Sequence, residues 1–276
     1  MHTWRIGDVE IVRVESVDLA VPAPAPMPDW MVPAFGTGAG EVRIAFSALA
    51  IRTPDTVIVV DPWLADDNPR ARPDAADIAE RVLADLSAAG CPADDVDVVV
   101  NTHLDGIGWN TRPDGHRGWR PSFPNARYSY PTAQLATVDA GVEVYGDAGL
   151  TDLRALTEVE GVAAPHEIAP EVRVVDAPGH DAGHAAVRVE SRGDLAIYPG
   201  HLVLSPFQVD DPGTMLAGEA DHLLAEATAT RRMILDELAD RNGLLLTTLV
   251  GGAGAGRVLR SDMGGFHLAA SLTGAT

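Results

Sequence analysis

The stretch Val96–Thr111 reads Val-Asp-Val-Val-Val-Asn-Thr-His-Leu-Asp-Gly-Ile-Gly-Trp-Asn-Thr. Val98, Val99 and Val100 make a short β-branched run, which predicts a strand buried on both faces. The run stops at Asn101-Thr102, so His103 and Asp105 fall just past the strand end. Gly106 and Gly108 then allow a tight turn. Sites of open α/β folds gather on the loops outside strand ends. A His and an Asp two residues apart there can face one cavity. The competing reading of this segment is a strand, a turn and a polar cap.

The same pattern recurs twice downstream. Val172–Val175 predicts a strand that runs into Asp176-Ala-Pro-Gly-His180-Asp-Ala-Gly-His184, and Leu195–Tyr198 predicts one that delivers Gly200-His201. A lone histidine at a strand end is usually structural. Three of them, His103, His180 and His201, argue for a shared site, because strand ends on one edge of a sheet converge. Histidine is both the commonest metal ligand and the usual acid–base residue near neutral pH. Tyr198, three residues before His201, is a candidate pocket acid. Asp61 ends the predicted strand Thr56–Val60 and is a candidate for supporting the site from outside. His184 reads as structural, and His2, His116, His166, His222 and His267 as surface or loop residues.

The rest of the chain fills in an α/β pattern. Trp4–Val17 reads as a strand or hairpin broken at Gly7-Asp8, and Val42–Arg52 and Thr56–Val60 as strands around a Thr53-Pro54-Asp55 turn. Ala75–Ala89 is a helix, with Ile78, Val82, Leu83 and Leu86 on one face and Gly90 at its end. Arg112–Asn125 reads as loop, Pro131–Ala140 and Asp152–Thr157 as helices, and Ala186–Glu190 as a strand. Glu219–Ala239 is the longest helix, facing inward through Leu223, Ala227, Ile234, Leu235 and Leu238. Strands at Leu244–Val250, Arg257–Arg260 and Phe266–Leu268 close the sheet. Val21–Phe35 carries Pro22, Pro24, Pro26, Pro28 and Pro33 beside Met27, Trp30, Met31 and Phe35. Proline excludes regular helix or central strand there. The expectation is a lid or interface loop over 21–41 that covers a pocket or contacts a second copy, or else a loop packed on its own core. No linker divides the 276 residues, so 1–276 is expected to be one domain.

Composition narrows the function classes. Forty acidic residues against 20 basic ones give a net charge of −20, which disfavours nucleic acid and anionic membrane as partners. All 20 basic residues are arginine, which excludes a lysine Schiff base and a P-loop lysine. Cys91 is the single cysteine, so disulfide frameworks and thiolate clusters are excluded; it reads as a buried or turn thiol. No signal peptide and no membrane-length apolar run is visible, and a cytoplasmic protein is expected.

Taken together, these segments resemble the metallo-β-lactamase-fold hydrolases, the superfamily that includes quorum-quenching lactonases and methyl parathion hydrolase. Val98–Asn110 resembles the strand and loop of the H-x-H-x-D-H motif, down to Gly108-Trp109-Asn110. Phe123-Pro124-Asn125-Ala126 resembles a segment often seen after it. Pro178–His184 resembles the third metal-ligand motif, in which the first histidine, here His180, is the ligand. Gly200-His201 sits where the family has Gly-Asp with a bridging aspartate, and Thr247–Val258 where it has its final histidine. The resemblance implies an αββα sandwich of two mixed sheets flanked by helices. It also exposes departures. The first motif has shrunk to His103-Leu104-Asp105-Gly106, and Asp105 stands either for its second histidine or for its aspartate. The bridging aspartate is His201, and the final histidine is Leu249. An intact dinuclear centre lacks ligands here.

What survives is His103, His180 and His201, with Asp105 beside them. Three histidines and a water is an arrangement used by catalytic zinc. The expectation is therefore at most one metal (zinc, iron or manganese) held by His103, His180 and His201, or none. The leading function is hydrolysis of an ester or lactone bond with one metal. The alternatives are a metal-free enzyme using His103, Asp105, His180 and His201 for proton transfer in a cyclisation, isomerisation or elimination, and a non-catalytic descendant that binds a small molecule. Trp30, Trp63, Trp109 and Trp119 point to an apolar pocket and an apolar or aromatic substrate, with Trp30, Trp109 and Tyr198 as candidate substrate contacts. A homodimer is compatible with the Pro-rich segment.

Overall fold

Val98–Val100 is indeed a strand, and it lies inside a seven-stranded sheet. The computed structural model describes residues 1–276 other than 39, 65–68, 105–106, 117, 142–146, 217–222, 248, 253, 263 and 271–276. In chain order the first strands are β1 (His2–Ile6), β2 (Val9–Pro22), β3 (Glu41–Arg52), β4 (Val57–Trp63), β5 (Val98–Val100), β6 (Thr111–Pro113), β7 (Trp119–Pro121), β8 (Arg127–Pro131) and β9 (Val159–Val162). Then come β10 (His166–Ala169), β11 (Val172–Asp176), β12 (Ala185–Ser191), β13 (Asp194–Tyr198), β14 (Leu244–Leu246), β15 (Ala255–Arg260) and β16 (Phe266–Ala270). The helices are α1 (Val32–Phe35), α2 (Ala75–Ala88), α3 (Thr132–Asp139), α4 (Asp147–Leu156), α5 (Phe207–Asp210) and α6 (Leu224–Asp240).

The first sheet runs β1-β2-β3-β4-β5-β8-β9, and the second β10-β11-β12-β13-β14-β15-β16. Both are mixed. The first is antiparallel from β1 to β4 and parallel from β4 to β9; the second is antiparallel except between β13 and β14.

Alternation within each strand makes the layers. On β5, Val98 and Val100 point into the space between the sheets while Val99 points out beneath α2. On β13, Ala196 and Tyr198 point in, and Leu195 and Ile197 point out beneath α6. Strands covered on both faces must be apolar on both, which is why these runs read as continuous. The inter-sheet core joins Ile11, Leu49, Ile58 and Val60 to Val174, Val187, Val189 and Leu244. Outside the first sheet, α2 contributes Ile78, Ala79, Val82 and Leu86. Outside the second, α6 contributes Ala227, Ile234, Leu235 and Leu238. The order of layers is αββα, as the resemblance implies.

Two segments depart from expectation. Arg112–Asn125 is not all loop: β6 and β7 pair as a small antiparallel ribbon, with Thr111 opposite Pro121 and Pro113 opposite Trp119. Prolines at both ends and a Gly-containing tip disguise it, because a two-stranded ribbon needs few backbone donors. The Pro-rich segment also begins later than expected, since β2 continues through Val21 and Pro22, paired with Val42 and Glu41. β1 pairs only with Val9–Arg13, so Pro22 lies where no second neighbour needs its missing N–H. Beyond it, Met31 and Phe35 are buried in the same apolar cluster as Ala177, Leu202, Val203 and Phe207. The Trp30 indole N–H donates to Asp210 Oδ1 at 3.1 Å. The Pro-rich segment therefore packs on the chain that follows His201.

The two sheets are stitched together near the same edge. Ala45 N–H donates to Leu249 O at 2.9 Å, and Ile44 bridges Val250. Arg13, fully buried, donates to Ser47 Oγ at 3.0 Å, to Val250 O at 2.8 Å and to Glu15 Oε1 at 2.5 Å. A buried guanidinium needs this many acceptors to offset its lost hydration. Cys91 is buried beneath α2, where burial pushes its thiol up. Among the described residues no helix is long and apolar enough to cross a membrane.

Candidate functional site

Four strand ends meet at one edge. β5 leads into Asn101-Thr102-His103, β11 into Ala177-Pro178-Gly179-His180, β13 into Pro199-Gly200-His201, and β4 carries Asp61. His103 and His201 are 1% exposed and His180 is 6% exposed. Their ring centroids lie 4.2 Å apart for His103–His201, 5.2 Å for His180–His201 and 5.3 Å for His103–His180. One ligand nitrogen from each lies within 4.8 Å of the other two. The structure thus brings together the three histidines read from the sequence. Asp105 lies outside the described residues.

Each histidine is held by its own element. Gly179 precedes His180 at φ +126, and a Cβ there would lie 2.2 Å from Ala227 N on α6, so only glycine lets the loop pass. Thr230 Oγ1 donates to Pro178 O at 2.8 Å, and Leu223 N–H to Gly179 O at 3.1 Å. Gly200 precedes His201 at φ +57, and a Cβ there would meet His184 Nε2 at 2.6 Å and Thr102 Oγ1 at 2.7 Å. The buried Arg231 guanidinium ties the His201 segment to α6 by donating to Leu202 O and, at 3.1 Å, to Pro212 O.

His184 belongs to the cluster in space, with its ring 4.9 Å from His103 and 5.4 Å from His180. Its nitrogens are already committed. Nδ1 donates to Ala177 O at 2.9 Å, and Nε2 accepts from the His201 backbone N–H at 3.2 Å. With both nitrogens used, it offers no lone pair to an ion. Burial first, then the neighbouring His103 and His180, hold its pKa well below the usual histidine value. It stays neutral and braces His201.

Behind His103 lies a chain of polar groups. Thr102 Oγ1 is 2.9 Å from His103 Nδ1 and 2.5 Å from Asp61 Oδ2. Thr102 N–H donates to Asp61 Oδ1 at 2.8 Å, and the Tyr198 hydroxyl donates to Asp61 Oδ2 at 2.9 Å. Asp61 is 6% exposed and sits at φ +37. Burial raises its carboxyl above the ordinary range, opposed by His103 and by these hydrogen bonds. Thr102 was not legible as a functional residue, since a threonine before a turn is common; only its place between Asp61 and His103 distinguishes it.

The other candidates are held as follows. Tyr198 is buried in the inter-sheet core with its hydroxyl on Asp61. Trp109 is 1% exposed and packs beneath α2 with Val82, Leu86 and Phe123. Trp30 meets Phe35 edge-on, and its ring centroid lies 6.2 Å from that of His267. Trp119 lies under the Arg70 guanidinium at 4.0 Å. Leu249, 8% exposed, joins Phe46, Leu104 and Leu204 in one apolar cluster. The position where the family would carry its last histidine is thus packed with hydrocarbon.

No family model matches the chain, and no curated protein matches it. Solved structures do. AidC, a dizinc quorum-quenching lactonase in complex with a product, N-hexanoyl-L-homoserine, superimposes with a TM-score of 0.71 at 18% identity, over 97% of this chain and 96% of that one. The hydrolase AbOPH of the beta-lactamase superfamily gives 0.72 at 17% identity, over 97% and 96%. A probable metal-dependent hydrolase from Staphylococcus aureus gives 0.70 at 17% identity, over 98% and 100%. At such identities the likeness speaks to architecture, and with the sheet order above it is decisive: the chain has the metallo-β-lactamase fold.

Proposed function

We propose that this protein hydrolyses ester or lactone bonds of apolar small molecules, using one metal ion held by His103, His180 and His201. The observation that carries this reading is the buried trio of imidazoles with ligand nitrogens within 4.8 Å of one another. The donors suit such an ion. Zinc–imidazole bonds of about 2.0–2.1 Å place tetrahedral donors roughly 3.4 Å apart, within reach of small side-chain adjustments. An all-imidazole set favours zinc or iron over the oxygen-seeking metals. Among the described residues a second ion finds little: His184 has spent both nitrogens on backbone groups and Leu249 has none to offer.

When bound, the metal supplies Lewis acidity toward a carbonyl oxygen and toward water. The chain's own residues do the rest. His184 accepts from the backbone N–H of His201, and the Thr102 hydroxyl lies in hydrogen-bond contact with His103 Nδ1. Leu104, Leu204 and Leu249 belong to one buried apolar cluster, which favours an apolar substrate. Acyl homoserine lactones are sensible first probes, because AidC and an N-acyl homoserine lactone hydrolase of similar architecture are described with homoserine products.

A second reading, metal-free proton transfer, is favoured by one observation: the link from His103 through Thr102 to a buried carboxylate resembles the support given to a general base. An assay separates the two. Activity on aryl esters and acyl lactones should vanish after exhaustive chelation and return with one equivalent of zinc. Activity that survives chelation unchanged would favour the second reading.

A further inference from the structure

We propose that Gln134 is a positioning residue: it clamps the loop that carries His180 and so sets where that imidazole stands against His103 and His201. Gln134 lies in the first turn of α3 and is 2% exposed. Its amide nitrogen donates to Ala182 O at 2.5 Å and to Asp181 Oδ2 at 3.2 Å. The orientation of the amide follows from its partners. A backbone carbonyl only accepts, so the Gln134 atom facing Ala182 O must be the nitrogen. Its two hydrogens serve the two acceptors. Asp181 completes the turn: its Oδ1 accepts from Ala182 N–H at 2.6 Å, and its carbonyl from His184 N–H at 3.2 Å.

The clamp spans the two halves of the sandwich. α3 follows β8 and packs on the first sheet's side: Leu135 is buried in the cluster under α2, and a Cβ at Gly161 on β9 would lie 3.3 Å from its Cδ1. The loop 180–184 leaves β11 of the second sheet. His103 comes from the first half, His180 and His201 from the second, so a tie between the halves bears on how the three meet. The approach is close, since a Cβ at Gly183 would lie 2.5 Å from Ala133 Cβ. Ala182 and Gly183 are exposed on their other side. Before His180 the loop is held to α6, through Pro178 O and Gly179 O. After it, Gln134 holds it to α3. A residue gripped on both sides stays within the tolerance of about 0.5 Å that a metal or catalytic constellation needs.

The clamp on the loop stands apart from the hydrolase reading; its consequence for metal affinity rests on that reading. Gln134→Met is the informative variant, because it keeps the length of the side chain and removes both N–H donors. The two abandoned acceptors lie on a turn that water reaches, so the variant should melt near the parent temperature. In metal-free protein at pH 8, backbone N–H exchange at Ala182 and His184, followed by NMR, should quicken by about tenfold. Val187 and Val189 on β12 should exchange as in the parent. Zinc affinity, read by competition with a chromophoric chelator, should fall by about tenfold or more. Gln134→Glu, which sets a carboxylate against the same two acceptors, should exceed Gln134→Met in both effects. Exchange unchanged in both variants would overturn the proposal. Faster exchange with the parent's zinc affinity would overturn it equally, since the tie would then serve the fold alone. So would failure of both variants to fold, which would make Gln134 a support of the whole chain rather than of one loop. A parent protein that takes up no zinc would sink the metal reading, while the exchange measurement still decides whether Gln134 holds the loop.

Discussion

His180→Ala should lower ester and lactone hydrolysis by about a thousand-fold or more, a rise of about 4 kcal/mol in the barrier. The reasoning is one of ligand count. Catalytic zinc sites use three protein ligands, and among the described residues the site offers these three. His184 is the neighbouring imidazole, with its ring 4.9 Å from His103 and 5.4 Å from His180. It cannot substitute without surrendering the hydrogen bonds to Ala177 O and from His201 N–H. The loss should appear mainly in kcat/KM, and the variant should melt close to the parent, because His180 is a loop residue outside the three apolar clusters. A His180→Ala variant within tenfold of the parent would mean that this histidine does not serve the reaction.

Gly179→Ala, one residue earlier, should act on the fold. At φ +126 an L side chain is strained, and its Cβ would lie 2.2 Å from Ala227 N and 2.3 Å from Ala227 Cα. The obstacle is helix backbone, which cannot rotate away as a side-chain tip can. Either α6 shifts off the second sheet or the loop carrying His180 moves. Both routes lose packing at Ala227 and the hydrogen bonds to Pro178 O and Gly179 O. The expected destabilisation is about 4 kcal/mol or more, at the upper end for single substitutions. Urea unfolding followed by circular dichroism would measure it. A change below about 1 kcal/mol would show that the loop relaxes more easily than this geometry allows.

Much of the site was legible because it follows a local rule. An apolar β run followed by a turn and a histidine occurs at His103, His180 and His201; β11 and β13 run in the same direction on either side of antiparallel β12, and their histidines meet the one at the end of β5 in the other sheet. Asp61 was visible for the same reason, as the polar residue closing the Thr56–Val60 run. Thr102 was not, because its role depends on two partners 41 residues upstream and one residue downstream. The outer helices were legible from their apolar faces. β6 and β7 were not, since three-residue strands bounded by proline leave no period to detect. β8 and β9 were missed too: Tyr128-Ser129-Tyr130 and Val159–Val162 are strands because they extend the parallel run from β5, a tertiary reason that short mixed stretches do not announce. The Pro-rich segment revealed its irregularity but not its contacts. That Met31 and Phe35 would bury against the residues following His201 depends on where the second sheet lies.

The central claim is that three histidines at strand ends make one metal site and no second one. Metal stoichiometry tests it most directly. Protein stripped by chelation, titrated with zinc and then passed through a desalting column, should retain one zinc per chain by elemental analysis, and His103→Ala and His180→Ala should each retain essentially none. Two zinc ions per chain, or none in the parent protein under the same treatment, would contradict the account.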